Sequence, residues 1–188
     1  MNFFKQFLKR PKETAAVVAS SRELSKLIVD MADLNGKKCV VELGPGTGAF
    51  TREILDRIDT DTLFFCLEIN RQFVSETKQN CPEAIVYHAS ATDIGKYLKK
   101  NKKETCDCVI SGLPWALLDS SLQEELLNSI YDSLDEGGVF LTIAHITGLI
   151  FPPGRRFKKL LDMKFNKVSR SRIIWGNMFP GFIYRCTK

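Results

Sequence analysis

A glycine-rich segment between acidic residues is the part of the sequence best suited to hold a small ligand. It reads Glu42-Leu-Gly-Pro-Gly-Thr-Gly48 and joins an apolar run typical of a buried strand to a segment with helical spacing. A strand, a glycine turn and a helix N-terminus bind nucleotide-like ligands, because glycine lets the backbone approach without an intervening Cβ. Glu68 lies twenty positions after Gly48, where a carboxylate can accept hydrogen bonds from both ribose hydroxyls. The segment therefore predicts a nucleotide-like ligand at Gly44, Gly46 and Gly48.

Two other interpretations of this loop remain to be weighed. The loop also satisfies the dinucleotide pattern G-x-G-x-x-A through Gly44, Gly46 and Ala49. Glu42 argues against a dinucleotide, because a carboxylate at the mouth of the loop would repel a pyrophosphate. It favours instead a cationic ligand with an amino group and a sulfonium. A purely structural glycine turn is the third interpretation, and the presence of both Glu42 and Glu68 argues against it.

With Pro45 and Thr47 included, the loop resembles motif I of the class I methyltransferases, E-x-G-x-G-x-G. The resemblance implies that S-adenosylmethionine is the cofactor. It also assigns to the donor site residues at the ends of the second, third and fourth predicted strands, namely Ile69, Ser90, Ala91, Ser111 and Gly112. Members of that family often carry an acid where Ser90 stands, and a serine can also hydrogen-bond the adenine amine.

A second motif, Ser111-Gly-Leu-Pro-Trp115, follows the fourth predicted strand. It lies at the edge of an open α/β sheet that faces bound ligands. Trp115 can present its ring to the transferring methyl group, since an aromatic face attracts a cation by roughly 0.5–2 kcal/mol. The alternative is a core tryptophan that caps the sheet.

This second motif resembles those of two related families. In the ribosomal RNA adenine dimethylases it reads Asn-(Leu or Ile)-Pro-(Tyr or Phe), and the asparagine holds the adenine amine, whereas Gly112 takes that place here. The bacterial phospholipid N-methyltransferases are similar over most of the chain, including the aromatic and basic N-terminus, the glycine loop and Ser-Gly-Leu-Pro. Their terminal Asn-x-Pro-Pro-Ala pattern is similar to residues 177–181, where Pro180-Gly181 departs from Pro-Ala.

The closer resemblance implies an N-methyltransferase that converts phosphatidylethanolamine towards phosphatidylcholine. An RNA adenine N6-methyltransferase-like enzyme is the first alternative, and a non-catalytic, membrane-associated S-adenosylmethionine-binding protein is the second. An ethanolamine nitrogen must lose a proton before it attacks, and His145, at the end of the fifth predicted strand, is the candidate base. A lone strand histidine is also commonly structural.

Six residues are assigned to the acceptor. Leu113 and Pro114 belong to the second motif, and Asn177 and Tyr184 are expected by resemblance to shape the head-group pocket. Arg155 and Arg156 suit a lipid phosphate, because the guanidinium fork matches phosphate geometry, and they suit an RNA backbone equally. Residues 149–151 are apolar and can face acyl chains.

The charge distribution points to an anionic surface as the partner. The net charge is +5, with four basic residues and no acid in the first twelve residues, and ten basic residues with one acid from Gly154 to Lys188. Residues 1–10 place Phe3, Phe4 and Phe7 on one side of a helix, which predicts an interfacial membrane helix on anionic lipid. Packing of these rings on the domain is the alternative, and RNA is the alternative anionic partner.

Composition narrows the class of protein further. No apolar run is long enough to cross a bilayer, and the N-terminus lacks the features of a signal peptide. None of the six cysteines forms a C-x-x-C pair, so we expect no metal site and reduced, mostly buried thiols. We expect a cytoplasmic monomer that binds peripherally to the inner face of the cell membrane.

The elements that must position these residues follow from alternating apolar and helix-like stretches. Strands are predicted over 38–43, 63–69, 84–89, 106–111, 139–145, 168–174 and 182–186, and helices over 13–33, 47–58, 71–80, 120–134 and 157–163. Gly137 and Gly138 are expected to close a helix, and Cys106 and Cys108 to share one strand face. The fold class is α/β: a Rossmann-like, seven-stranded, mostly parallel sheet with an antiparallel edge and helices on both faces. Residues 13–188 form one methyltransferase domain, preceded by a membrane-binding segment over 1–12.

Overall fold

Seven strands form one sheet at the centre of the molecule. The computed structural model describes residues 22–175 and 180–188, and the sheet order is β3-β2-β1-β4-β5-β7-β6. The strands are β1 (Cys39–Leu43), β2 (Leu63–Glu68), β3 (Ile85–His88), β4 (Cys106–Ser111), β5 (Leu134–His145), β6 (Lys167–Arg170) and β7 (Gly181–Thr187). Strands β1 to β5 pair in parallel, and β7 runs antiparallel to both of its neighbours, β5 and β6. The predicted fold class is confirmed.

Helices cover both faces of this sheet. They are α1 (Arg22–Ala32), α2 (Ala49–Leu55), α3 (Arg71–Asn80), α4 (Ile94–Lys100), α5 (Ser120–Ser133) and α6 (Pro152–Lys164). Helices α1 to α3 pack in one core cluster, and α4 to α6 pack in the other. The central strands β1, β2 and β4 are buried almost throughout, as expected for parallel strands covered on both sides.

A bulge between β4 and β5 corrects two expectations. Cys106 pairs with Leu134 and Cys108 with Val139, so the partner strand carries extra residues at this point. Cys106 therefore packs in one core cluster and Cys108 in the other, because the bulge interrupts the two-residue alternation. Helix α5 ends at Ser133, and Gly137 and Gly138 lie in the bulge within β5 rather than closing the helix.

Other differences concern the ends of elements. Helix α4 was not predicted, and α6 begins five residues before its predicted start at 157, with Pro152 and Pro153 in its first turn.

All six cysteines are buried and unpaired, as expected. The predicted membrane segment and residues 13–21 of the helix predicted over 13–33 lie outside the described residues, and the rest of that predicted helix is α1. Within the described part of the chain, no helix is long and apolar enough to cross a membrane.

Candidate active site

The predicted donor residues meet where the central parallel strands end. Leu43 of β1 lies in register with Leu67 of β2 and Ser111 of β4. The pairing continues into the loops, because the N–H of Gly44 donates to Leu67 O and the N–H of Gly112 donates to Leu43 O, each at 2.9 Å. The two motifs, almost seventy residues apart in sequence, are therefore adjacent at one edge of the sheet.

The glycine loop adopts a backbone that requires glycine. Gly44, Gly46 and Gly48 all have positive φ, and a Cβ on Gly44 would lie 2.9 Å from the Leu113 side chain. The contact is closer on the opposite side, where a Cβ on Gly112 would lie 2.6 Å from Gly44 O. Gly112 thus has a structural reason to lack a side chain, since the first motif packs directly against its backbone.

Helix α3 holds the loop from beneath through contacts that no sequence pattern predicted. The one hydroxyl proton of Thr77 can be donated to Gly46 O at 2.7 Å or to Phe73 O at 2.8 Å, and Asn80 Nδ2 donates to Thr47 O at 2.9 Å. Thr77 is fully buried, so its hydroxyl has no solvent alternative. The two residues lie about thirty positions after the loop, and no local pattern connects them to it.

Glu68 ends β2 at the donor cavity. Its two carboxylate oxygens accept from the N–H groups of Asn70, at 2.8 Å, and Gly46, at 3.3 Å. Burial raises the pKa of Glu68, while these hydrogen bonds and the neighbouring His88 oppose the shift. His88 pairs beside Glu68 at the end of β3, so this histidine belongs to the donor side.

Glu42 lies below the loop rather than at its mouth. The side chain is fully buried, and its Oε2 accepts from Thr51 Oγ1 at 2.7 Å and from Cys66 Sγ at 3.3 Å. Its Oε1 is buried without a hydrogen-bond partner among the described residues. Burial raises the pKa of Glu42 to about 7, with Glu68 adding to the shift. A buried carboxyl with one unused oxygen is poised to respond to a cation bound above the loop.

Five of the twelve residues predicted for the donor line the donor cavity, and Gly112 lines the neighbouring cavity instead. Gly44, Glu68, Ile69, Ser90 and Ala91 line the donor cavity. The rest of its lining is apolar: Leu67, Leu118, Leu122 and Leu126, which were not predicted as part of the site, and Leu113, which was predicted for the acceptor. Leu122 and Leu126 belong to α5, and Leu118 precedes it. The apolar periodicity of α5 predicted only a core-facing helix.

These residues fit S-adenosylmethionine. A carboxylate suits the ribose hydroxyls, a leucine wall suits the adenine, and a glycine backbone allows close approach. Ser90 Oγ already contacts Thr92, with its hydroxyl 2.8 Å from Thr92 Oγ1, and it caps the turn that follows β3.

A second cavity of about 220 Å³ adjoins the first. Residues of the second motif and of elements distant in sequence line this cavity, and most of them are apolar. They include Gly112, Leu113, Pro114, Trp115, Leu117, Ile143, Ala144, His145, Gly154, Phe157, Phe182 and Tyr184. Leu113 lines both cavities, so it forms the wall between them. Of the predicted acceptor-side residues, Leu113, Pro114, Trp115, His145 and Tyr184 are brought together here.

Trp115 is built into the aromatic wall of this cavity. It is 3% exposed, stacks on Phe157 with ring centroids 4.5 Å apart, and meets Phe140 edge-on at 5.9 Å. Phe157 therefore covers one face of the Trp115 ring. For that face, the structure agrees with the alternative of a core tryptophan. Its indole Nε1 is buried with no hydrogen-bond partner among the described residues.

Gln123 connects Trp115 to Arg156, and the sequence analysis did not identify it. Gln123 is fully buried, its Nε2 donates to Trp115 O at 2.5 Å, and its Oε1 accepts from Arg156 Nε at 3.2 Å. Arg156 is thereby fixed beside the cavity, between the lining residues Gly154 and Phe157. Arg155 is exposed instead, and its Nε donates to Leu149 O at 3.2 Å. The two arginines, equivalent in sequence, have different environments.

The remaining acceptor residues are placed as follows. His145 lies at the end of β5, half-buried, and Tyr184 packs edge-on against Phe157 and Phe182. Burial raises the pKa of Tyr184. Asn177 lies outside the described residues. Among those that are described, no group of three or more His, Cys, Asp or Glu side chains is arranged to hold a metal ion.

Comparison with known proteins agrees with this geometry. Residues 40–138, just over half of the chain, match the family described as methyltransferase domain. The chain is 30% identical over 158 residues to an ornithine lipid N-methyltransferase from Singulisphaera acidiphila, with 82% of each protein covered.

Solved structures share the fold at low sequence identity. The O-methyltransferase TomG from Streptomyces achromogenes, in complex with SAM, has a TM-score of 0.72 at 18% identity, covering 97% of this chain and 89% of that one. The N-methyltransferase NodS from Bradyrhizobium japonicum has a TM-score of 0.71 at 13% identity, covering 89% and 95%. With the family match, the curated relative and a donor site of this composition, the chain belongs to the methyltransferase domain family and is an S-adenosylmethionine-dependent methyltransferase of class I fold.

Proposed function

We propose that this enzyme methylates the amine head group of a membrane lipid, converting phosphatidylethanolamine towards phosphatidylcholine. The observation that carries the proposal is the acceptor cavity, which is lined by aromatic and aliphatic side chains and separated from the donor cavity by Leu113. A cavity of this composition favours a substrate with apolar surface beside its amine. The curated relative, named for a lipid amine acceptor, supports the same class of substrate.

The donor residues hold and orient the cofactor. Glu68 would accept hydrogen bonds from the ribose, the glycine loop would admit the amino-acid portion, and Glu42, buried beneath the loop, would add negative charge when it is ionised. When bound, S-adenosylmethionine supplies an electrophilic methyl group on a sulfonium. Positioning and the exclusion of water then supply much of the rate acceleration.

His145 is the proposed base. It lines the acceptor cavity at the end of β5, where it can take the proton that an ethanolamine ammonium must lose. The freed nitrogen lone pair would then be the nucleophile for the methyl group that bound S-adenosylmethionine would supply, and the sulfur would keep the bonding pair of the broken C–S bond. Trp115 and Tyr184 keep this nitrogen in an aromatic, water-poor environment, which also stabilises the ammonium product.

Arg156 is the proposed contact for the lipid phosphate. Gln123 holds its Nε, and a guanidinium has further N–H donors that match a phosphate. Because Arg155 points to the exposed turn, we assign it a peripheral role at the lipid surface. We also propose that the protein binds the inner face of the cell membrane from the cytoplasm and that the basic, aromatic residues 1–10 contribute to this binding.

Gly112 weighs against RNA adenine as the acceptor. In the adenine dimethylases an asparagine at this place holds the adenine amine. Here even a Cβ would meet Gly44 O at 2.6 Å, so this backbone leaves no room for that side chain.

The test offers radiolabelled S-adenosylmethionine to the full chain with three separate acceptors. These are phosphatidylethanolamine vesicles, ornithine lipid vesicles and ribosomal RNA. We expect label in phosphatidylethanolamine, in products that chromatograph as methylated lipids. Label in ornithine lipid alone would overturn the phospholipid assignment while keeping a lipid amine. Label in RNA alone would overturn the proposal, and label in none of the three would contradict it as well.

A further inference from the structure

Three exposed apolar side chains lie on, or directly after, segments that line the acceptor cavity. Leu117, Ile150 and Phe151, here called the apolar rim, are 39%, 68% and 60% exposed. Leu117 itself lines the cavity, and Ile150 and Phe151 follow Thr147 and Gly148, which also line it. Helix α6 packs against the turn that contains Leu117 and against the turn that precedes Ile150 and Phe151. The rim therefore belongs to one edge of the molecule.

The rim is held by a well-defined turn. The N–H groups of Ile150 and Phe151 both donate to Thr147 O at 3.1 Å, and Phe151 O accepts from the N–H of Arg155 in the first turn of α6. Gly154 allows this approach, because a Cβ there would lie within 2.6 Å of three backbone atoms of Gly148. The turn thus holds two large apolar residues towards solvent, which is unfavourable for a protein that meets only water.

The segment that carries Ile150 and Phe151 has basic residues only, whereas the exposed Asp119 follows Leu117 by two residues and lies near Arg156. No acidic residue occurs between Gly137 and Leu161, whereas this stretch contains Arg155, Arg156, Lys158 and Lys159. Arg155 and Lys159 are exposed, and Lys158 is paired with Asp162 at the far end of the helix. Apolar side chains that project among basic ones are typical of surfaces that enter the head-group layer of an anionic membrane.

We infer that the apolar rim, with Arg155 and Lys159, docks on an anionic phospholipid leaflet and opens the acceptor cavity directly onto the head-group layer. The inference rests on the proposed lipid substrate and adds a second membrane contact, separate from residues 1–10. A lipid amine then reaches Leu113 and His145 without its acyl chains leaving the bilayer. Ile150 and Phe151 enter the acyl boundary while the two cations contact phosphates.

The first test measures binding of the full chain to sedimented vesicles of phosphatidylglycerol and phosphatidylcholine, which contain no methylatable amine. The double variant I150S/F151S is expected to bind about tenfold more weakly than the wild type. M163S is the matched control, because Met163 is an exposed apolar residue at the other end of α6 and is 72% exposed. Its binding should stay within about twofold of the wild type. Equal binding by I150S/F151S and the wild type, or an equal loss in M163S, would overturn the inference.

The second test uses charge and does not alter packing. R155Q/K159Q is expected to lose about tenfold in affinity for the anionic vesicles and none for pure phosphatidylcholine vesicles. The control K78Q/K99Q removes two exposed lysines from α3 and α4. An equal loss in that control would contradict a localised surface. All variants must keep the wild-type melting temperature and affinity for S-adenosylmethionine.

RNA is the other outcome. R155Q/K159Q could lose affinity for ribosomal RNA while both I150S/F151S and R155Q/K159Q bind vesicles as the wild type does. In that case the surface would be an RNA contact and the inference would be wrong. These binding measurements need no methyl transfer. A failure of the proposed lipid methylation is therefore distinguishable from a failure of this docking surface.

Discussion

The donor and acceptor halves of the site are built in opposite ways. The donor half relies on backbone: three glycines with positive φ, strand-end hydrogen bonds and two buried carboxylates. The acceptor half relies on side chains, with Trp115 after β4 and aromatic rings of β5, β7 and α6 in contact with one another. The donor half therefore tolerates little change at any of these glycines. In the acceptor half, single side chains can be substituted without disturbing donor binding.

Removing the proposed base should give the largest effect, and it should be confined to the acceptor half. His145→Ala is expected to lower kcat on phosphatidylethanolamine about 100-fold at neutral pH, with donor affinity unchanged. The matched variant is His88→Ala, because His88 lies beside Glu68 on the donor side. Its effect should be on donor affinity. An H145A rate equal to that of the wild type across about pH 6–9 would remove His145 as the base.

Filling the space between the two motifs should damage the donor half almost as much. Gly112→Asn is expected to weaken S-adenosylmethionine binding about 50-fold, since its Cβ would lie 2.6 Å from Gly44 O and must displace the loop. Titration calorimetry measures this loss. Gly95→Ala is the control, because the nearest atom to a Cβ there is 3.9 Å away. Wild-type affinity in G112N would show that the loop does not need this close approach.

Neutralising the ribose carboxylate should cost somewhat less. Glu68→Gln is expected to weaken donor binding about 30-fold, because hydrogen bonds to a charged partner contribute about 1.5–3 kcal/mol. KM for the lipid should be unaffected if the two halves are independent. Glu83→Gln, at an exposed carboxylate near the end of α3, serves as the control. A rise in lipid KM equal to the loss of donor affinity would show that the halves are coupled.

Cutting the connection between Trp115 and Arg156 should have a smaller effect on the acceptor half alone. Gln123→Leu leaves the Trp115 carbonyl and Arg156 Nε without their partner, and we expect it to lower the free energy of unfolding by about 1–3 kcal/mol. KM for phosphatidylethanolamine should rise about fivefold with donor affinity unchanged. Arg155→Gln is the comparison variant for kinetics on dispersed lipid. Equal KM values for Q123L and the wild type would show that Arg156 needs no such support.

The smallest expected effect on function is a pH dependence that originates at Glu42. Burial raises the pKa of Glu42 from 4.5 to about 7, so the folded protein keeps a proton that the unfolded chain has released. Its contribution to stability is therefore present below about pH 4.5 and falls, by up to about 3 kcal/mol, as pH rises towards 7.

Donor affinity should change in the opposite direction, because only ionised Glu42 attracts a cation. We expect wild-type affinity for S-adenosylmethionine to rise severalfold between about pH 6 and pH 8, and Glu42→Gln to abolish that rise. The same substitution should flatten the pH dependence of the melting temperature. A pH dependence of both quantities that is identical in E42Q would assign the effect to another group.

Sequence reasoning reached further for some elements than for others. Strands β1, β2 and β4 were predicted within a residue or two, because continuous apolar runs between turns leave few alternatives. The bulge at Asp107 and Gly137 was not predictable, because two-residue alternation assumes an uninterrupted ladder and the extra residues lie in the partner strand. Helix α4 was missed because its seven residues carry a weak apolar pattern.

The sequence by itself determined the glycine loop and Glu68 of the donor site, because they follow from one strand, one turn and the next strand, whereas the leucine lining of that site came from the tertiary structure. Such a motif can be recognised from the sequence, because it depends on local backbone geometry. Only the tertiary structure decided the acceptor side: that Phe157 stacks on Trp115, that Gln123 holds Arg156 and leaves Arg155 exposed, and that Leu113 separates two cavities. The physical reason is that these contacts join residues from different elements, whose proximity is set by packing and not by spacing along the chain.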